Sequence, residues 1–287
     1  MRSFKAPLII SLYCGLLLVI AIVIAVVPLS RGTITIGTMR SGIEGYIYLT
    51  ALQFFLLLLV SPALTAGAIS GERERQTLDL LLVTNTGVMK LVFGRVLESF
   101  FFLALMIFSS LPVLCLMLAA GGITFVQMLI SLLFLMCEAY AALCVGIFCS
   151  SLFKRTAPAT VVAYLSVFSI GVLTMLPIFS DISRIGDLVN AAQNSNVALT
   201  SLNMLPLSFF MNPLLALVSL LIEQTGLLTN TITQYSYTLY QAFSAMDFHL
   251  YAWLGMAFMT VAGTVLALIG AMFIRPSAHG KVKSGHA

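Results

Sequence analysis

The run Leu8-Ile-Ile-Ser-Leu-Tyr-Cys-Gly-Leu-Leu-Leu-Val-Ile-Ala-Ile-Val-Ile-Ala-Val-Val27 holds twenty residues without a charge. An α-helix needs about 20 apolar residues to cross a bilayer, whereas the core of a signal peptide is about 7–15 long. Arg2 and Lys5 precede the run as they would in a signal peptide, but no small-x-small cleavage site follows cleanly. The run therefore reads as a membrane span, and the rest of the chain repeats its character. Apolar residues make up 60% of the sequence, charged residues only 8%, and the mean hydropathy is +1.08. A soluble domain carries about 25% charged residues because it must cover itself with solvated groups. Too few charges are present here to build a watery surface, so the solvent for most of the chain is lipid.

Further candidate spans lie at 46–69, 99–120, 125–151, 158–179 and 250–274, with the first at 8–28. Each must be helical, because lipid offers no partner to a free backbone N–H or C=O. A transmembrane barrel would show alternating strands of about ten residues, and none is seen. The expected fold is all-α: one polytopic bundle of six spans covering 1–287. If the N-terminus is cytoplasmic, the inner segments hold 11 of the 14 basic residues, leaving Arg31, Arg40 and Arg184 outside. That bias puts both termini in the cytoplasm. The long inner segment is 70–98 and the long outer loop is 180–249. Within that loop Pro213 to Leu228 is apolar but short, interrupted by Glu223 and bounded by Asn212-Pro213 and Gly226. It reads as a re-entrant or interfacial helical hairpin on the outer side, with a seventh crossing as the alternative.

The most informative stretch is Ser61-Pro-Ala-Leu-Thr-Ala-Gly-Ala-Ile-Ser-Gly-Glu-Arg-Glu-Arg-Gln-Thr-Leu-Asp-Leu-Leu-Leu-Val-Thr-Asn85. The second span ends in small residues (Ala63, Ala66, Gly67, Ala68) that permit close helix approach. The chain then turns at Gly71 into Glu72, Arg73, Glu74 and Arg75. An amphipathic segment follows, with Leu78, Leu81 and Leu82 on one helical face and Thr77 and Asp79 away from it. Asn85-Thr86-Gly87 stops it. Physics alone leaves two readings: a handle offered to a partner, or an interfacial helix resting on the headgroups as in many polytopic proteins.

The string from Ala66 to Leu82 closely resembles the signature of type-2 ABC transporter permeases, which runs approximately as small residues followed by Gly-Glu-(Arg/Lys)-Glu-Arg-Gly-Thr-Leu-(Asp/Glu)-Leu-Leu. The span count, Lys154-Arg155-Thr156-Ala157-Pro158 between the fourth and fifth spans, and Asn212-Pro213 after the fifth also look like this family. The resemblance implies a permease subunit of an ATP-driven exporter in the cell membrane, the cytoplasmic membrane of a bacterium. Two permease chains, identical or homologous, would form the pathway as a dimer and bind two copies of a separate ATP-binding subunit. The coupling residues would be Gly71, Glu72, Arg73, Glu74, Arg75, Thr77, Leu78, Asp79, Leu81 and Leu82. Gln76 departs from the pattern, standing where a glycine is common, and the segment before the first span is shorter than in many relatives.

Other chemistry is missing from the sequence. No Gly-x-x-x-x-Gly-Lys-[Ser/Thr] loop occurs, so ATP and Mg would sit on the partner subunit and no cofactor on this chain. No His-Glu-x-x-His or Gly-x-Ser-x-Gly is present, and His249, His279 and His286 are far from the intramembrane acids, so no metal or catalytic site is expected. The five cysteines fall in apolar runs without ligand spacing. The net charge of +4 forms no patch for nucleic acid. One acid stands out: Glu138 lies near the middle of the fourth span, where a charge costs about 2.5–3.5 kcal/mol. It reads either as a pathway or interface group, or as a structural acid bonded to Tyr140 or Ser131. Its presence also motivates the rival function, a stand-alone channel or ion-coupled transporter using Glu138. A membrane scaffold that moves nothing is the remaining rival.

Overall fold

The computed structural model describes residues 5–30, 37–78, 88–121, 123–174, 212–225 and 248–274. The chain ends, Asp79, Leu81, Leu82 and most of the loop 180–249 lie outside the described residues. Nine helices and no strand occur within them: α1 (Lys5–Ser30), α2 (Gly37–Thr65), α3 (Ser70–Glu74), α4 (Val88–Ser109), α5 (Leu111–Ala120), α6 (Phe125–Leu152), α7 (Thr156–Leu173), α8 (Pro213–Thr225) and α9 (Phe248–Phe273). Five helical stretches are long and apolar enough to cross a membrane: Gly42–Glu74, Val88–Ala119, Phe125–Leu152, Thr156–Leu173 and Ala252–Phe273. The apolar stretch Pro7–Val23 within α1 is shorter than these.

Two of the five are broken by proline. α4 and α5 form one span that parts at Ser110, because Pro112 has no N–H to continue the ladder and its ring disfavours helix in the residue before it. The first bonds of α5 therefore start afresh, from the Val113 and Leu114 amides to the Ser110 carbonyl at 3.0 and 3.2 Å. In α2, Pro62 lies inside the helix, and three residues later the helix gives way to a turn over 66–69 before α3 resumes. The helical part of the segment 70–98 is also longer than charge suggests, since α4 already begins at Val88.

α6 is the axis of the bundle. Of its most apolar window 67% is buried, against 11% for α7 at the periphery. α2 and α6 run side by side in the same direction. Tyr46 near the start of α2 reaches Gln127 and Ser131 at the start of α6, while Ile69 and Ser70 reach Ser150 at its end. These contacts define a far end, at Tyr46 and Gln127, and an elbow end, at residues 69–78. Close approach at the elbow end needs a residue without a side chain: a Cβ on Gly146 would stand 2.0 Å from Thr65 Oγ1. α9 uses the same device, for a Cβ on Gly263 would meet the Ala141 backbone at 3.0 Å. With lipid as apolar as leucine, such backbone proximity is what holds membrane helices together.

α8 is the short apolar element of the loop 180–249. At 13 residues it spans about 20 Å, too little for a hydrocarbon core of about 30 Å. Asn212 starts it: its Oδ1 accepts from the Leu214 and Leu215 amides at 2.8 and 3.3 Å, and its Nδ2 donates to the Gly171 carbonyl at the end of α7 at 3.1 Å. Pro213 follows at the first helical position, where its missing N–H costs nothing. Buried Ala216, Leu217, Leu220 and Leu221 join the core shared by α2, α6 and α9. We predict that Gly146→Leu destabilises the chain by about 1–3 kcal/mol through overpacking. Gly94→Ala, with nothing within 4 Å of its added carbon, should be neutral or slightly stabilising. Thermal unfolding of the two purified variants separates these outcomes.

Candidate functional site

The charged elbow after α2 is built by hydrogen bonds the sequence does not display. After the break at Thr65, the Ile69 and Ser70 amides have no carbonyl one turn back, and both donate to the Ser150 hydroxyl of α6, at 2.9 and 3.0 Å. Ser70 in turn donates to the Ala66 carbonyl at 2.9 Å. α3 then makes little more than one turn and ends in a left-handed cap. The Gln76 amide bonds the Arg73 carbonyl at 3.2 Å and the Thr77 amide bonds the Glu72 carbonyl at 3.0 Å. This crossed pair is the Schellman arrangement, which requires a positive φ at the residue between them. Gln76 supplies it, with φ 58°. A glycine would take that conformation without strain, which gives physical content to the departure at Gln76 noted from the sequence.

The four alternating charges face different ways. Glu72 is paired with Arg95 of α4 at 2.8 Å, and Arg95 also reaches Glu98 at 3.0 Å. The Thr77 hydroxyl donates to the other Glu72 oxygen. Arg73 donates to the Phe153 carbonyl at the end of α6 at 3.2 Å. Glu74 accepts from the Thr156 amide and hydroxyl at 3.1 and 2.9 Å. These bonds, the backbone one foremost, hold the Glu74 carboxylate below the ordinary glutamate range and make Glu74 the cap of the first turn of α7. Arg75 and Gln76 are exposed.

Leu78 is turned inward. Only 4% exposed, it packs with Ile69, Val92, Val96, Ile147 and Ala271. Of the residues singled out from the sequence, the structure thus brings Gly71, Glu72, Arg73, Glu74, Arg75, Thr77 and Leu78 together at one end of the bundle, tied to α4, α6 and α7. A cleft of about 1010 Å³ opens beside them, lined by Glu72, Glu74, Arg75, Arg95, Phe102 and Thr156 among others. The ties through Arg95, Ser150 and Thr156 are not legible in the motif, because each comes from another helix.

Glu138 is buried inside the bundle, 3% exposed. It bonds neither of the two partners weighed from the sequence. Ser131 is engaged with Tyr46 and Gln224, and the Tyr140 ring packs edge-on against Phe100 at 6.0 Å. Glu138 Oε1 finds no partner among the described residues.

A second polar feature was missed in the sequence. Tyr46, Thr50, Gln53, Ser61 and Thr65 recur at helical spacing along α2 and are all buried, with Leu57 in the gap. At the far end Tyr46 donates to Gln224 Oε1 at 2.7 Å and shares a bond with Ser131, while Gln127 and Gln224 exchange two bonds at 2.8 and 3.1 Å. Deeper in, Gln53 donates to Ser110 at the break between α4 and α5, beside the Tyr13 hydroxyl. Thr50 Oγ1, Gln53 Oε1 and Tyr13 Oη are left without partners among the described residues. In a dry interior each such atom costs about 1–3 kcal/mol. Spacings of three, four and eight residues among polar side chains in one span are the signal that would have found this stripe.

No three His, Cys, Asp or Glu side chains converge as a metal site would require, among the described residues. What the fold defines is a multi-pass helical membrane protein. The chain matches no protein-family model and no curated protein.

The cap geometry generates a test. Gln76→Gly should stabilise the chain by about 0.5–1 kcal/mol, since a left-handed residue with a side chain costs about 1–2 kcal/mol and glycine loses part of that gain in the unfolded state. Gln76→Val should destabilise it by a similar amount. Thermal unfolding of the pair, with equal membrane yield, reads the sign.

Proposed function

We propose that this chain is the membrane subunit of an ATP-binding-cassette exporter. In this reading it has six spans, α1 completing the set, with both termini cytoplasmic and α8 as the inner leg of a re-entrant element on the outer side. Two such subunits form the pathway and two separate ATPase subunits grip the elbow. The observation that carries the reading is the elbow itself, a charged turn over Gly71–Leu78 that is fastened to three other helices at one end of the bundle. A force applied there would reach α4 through Glu72–Arg95, α7 through Glu74–Thr156 and α6 through Ser150. The exposed Arg75 and the adjoining cleft offer a surface on which an ATPase can act. No reaction is required of the chain, because the work enters as motion. The cargo is not specified by any motif.

Affinity capture of the chain from its native membrane should recover an ATP-binding subunit, and its consistent absence would end the proposal. Within that complex, Glu72→Ala and Arg95→Ala should each lower transport-stimulated ATP hydrolysis, and the exchanged pair Glu72→Arg with Arg95→Glu should restore part of it. Stability should change little, since a partly exposed ion pair contributes only about 0–1 kcal/mol.

Buried Glu138, whose Oε1 has no partner among the described residues, favours one other reading, a stand-alone channel or ion-coupled transporter. It requires transport that follows an ion gradient and persists without ATP. Unchanged transport by Glu138→Gln, with normal insertion, would remove it.

A further inference from the structure

The unpartnered atoms in the bundle are not scattered. Thr50 stands one turn below Tyr46 on α2 and Gln53 one turn below Thr50, and the Tyr13 hydroxyl lies beside Gln53 and Ser110. Glu138 is seven residues beyond Ser131, which places it on the α6 face that Ser131 turns toward Tyr46. Its depth follows from the register of the two helices. Phe54 stacks with Phe134 at 6.4 Å, and nearer the elbow Gly146 stands opposite Pro62 and Thr65. Glu138 therefore lies at about the level of Leu57.

The four orphan atoms, Thr50 Oγ1, Gln53 Oε1, Tyr13 Oη and Glu138 Oε1, occupy the stretch between the bonded groups at the far end and Leu57. Past Leu57 the pattern changes. The Ser61 and Thr65 hydroxyls donate to the Leu57 and Ser61 carbonyls of their own helix, so nothing is left over.

We propose that a file of water molecules enters this chain at the far end, beside Gln127 and Gln224, and runs along α2 to Gln53, Tyr13 and Glu138, ending at Leu57. The atoms to be satisfied identify the ligand. An amide oxygen needs a donor, two hydroxyls need a donor or an acceptor, and the carboxyl oxygen needs a donor, which water supplies in any orientation. A metal ion fits less well, because Glu138 is the only acid among the four groups. The far half of the bundle is thereby wet within a single chain and the elbow half dry, with Leu57 as the divide.

Two measurements test this independently of any ATPase partner. Tyr13→Phe and Thr50→Val each strip one hydroxyl that makes no hydrogen bond of normal geometry among the described residues. If water holds these hydroxyls, both variants melt about 2–4 °C lower than the parent protein; if the interior is dry, losing an unsatisfied group leaves the melting temperature unchanged or raises it. In sealed membranes, a small charged methanethiosulfonate added from one side should label Gln53→Cys at least about tenfold faster than Ser61→Cys or the parent chain with its own five cysteines. Melting that is unchanged or raised in both hydroxyl variants overturns the proposal, and so does labelling of Gln53→Cys at the parent rate.

Discussion

The arrangement depends on one hydroxyl meeting two backbone amides. A helix that stops inside or at the edge of a membrane strands N–H groups that lipid cannot satisfy. α2 stops at Thr65, and the Ile69 and Ser70 amides would be stranded in this way without the Ser150 hydroxyl. That bond can form only because α6 comes close, and α6 comes close only because residue 146 is glycine, opposite Thr65. The break in α2, the absence of a side chain at 146 and the hydroxyl at 150 are thus one device in three parts. It fixes the direction in which the chain leaves the span, and so fixes where Glu72, Glu74 and Leu78 can reach.

Much of the architecture was open to reading before any coordinates. Helical spans follow from apolar length, and the elbow follows from a turn of small residues leading into alternating charge. What resisted reading depends on partners distant in sequence. The glutamates of the elbow look like solvated charges until Arg95 and Thr156 are placed beside them, more than twenty and eighty residues away. Leu78 belongs to a face that amphipathic periodicity assigns to membrane or partner, and it turns into the bundle because the cap at Gln76 reverses the chain just before it. The split at Ser110 was signalled by Pro112, but hydropathy averages over it. The α2 stripe was hidden for a related reason: Tyr, Thr, Gln and Ser barely disturb the hydropathy of a span, and only their spacing shows that they share a face.

The break at Ser110 and the elbow bear on each other. α4 is gripped at its elbow end by Glu72–Arg95 and by the contacts of Leu78 with Val92 and Val96. At its other end it parts from α5 at Ser110, where Gln53 of α2 bonds the Ser110 hydroxyl. α4 is therefore tied near one end to α3, through the Glu72–Arg95 ion pair, and at the other to α2, through the Gln53–Ser110 amide–hydroxyl bond. A displacement of the elbow would carry α4 as a lever about Ser110 more readily than it would move the whole of span three, since the helical ladder is already interrupted there.

The two ends of α2 also differ in how they satisfy polarity. Toward the elbow, Ser61 and Thr65 turn back onto their own helix, which removes their polarity locally and leaves the packing between helices to Gly146. Toward the far end, Tyr46 bonds the Gln127 carbonyl and the Ser131 hydroxyl of α6 and Gln224 of α8, so these bonds exist only while those three helices are assembled. Bonds within a helix survive a sliding of neighbours, whereas bonds between side chains of different helices do not. A change in helix packing at the far end therefore breaks hydrogen bonds, and water can substitute for each one broken. The elbow end is held by bonds of the same interhelical kind, from Ser150, Arg95 and Thr156, so it keeps its polar groups satisfied in motion only when the facing turns of α4, α6 and α7 move with it.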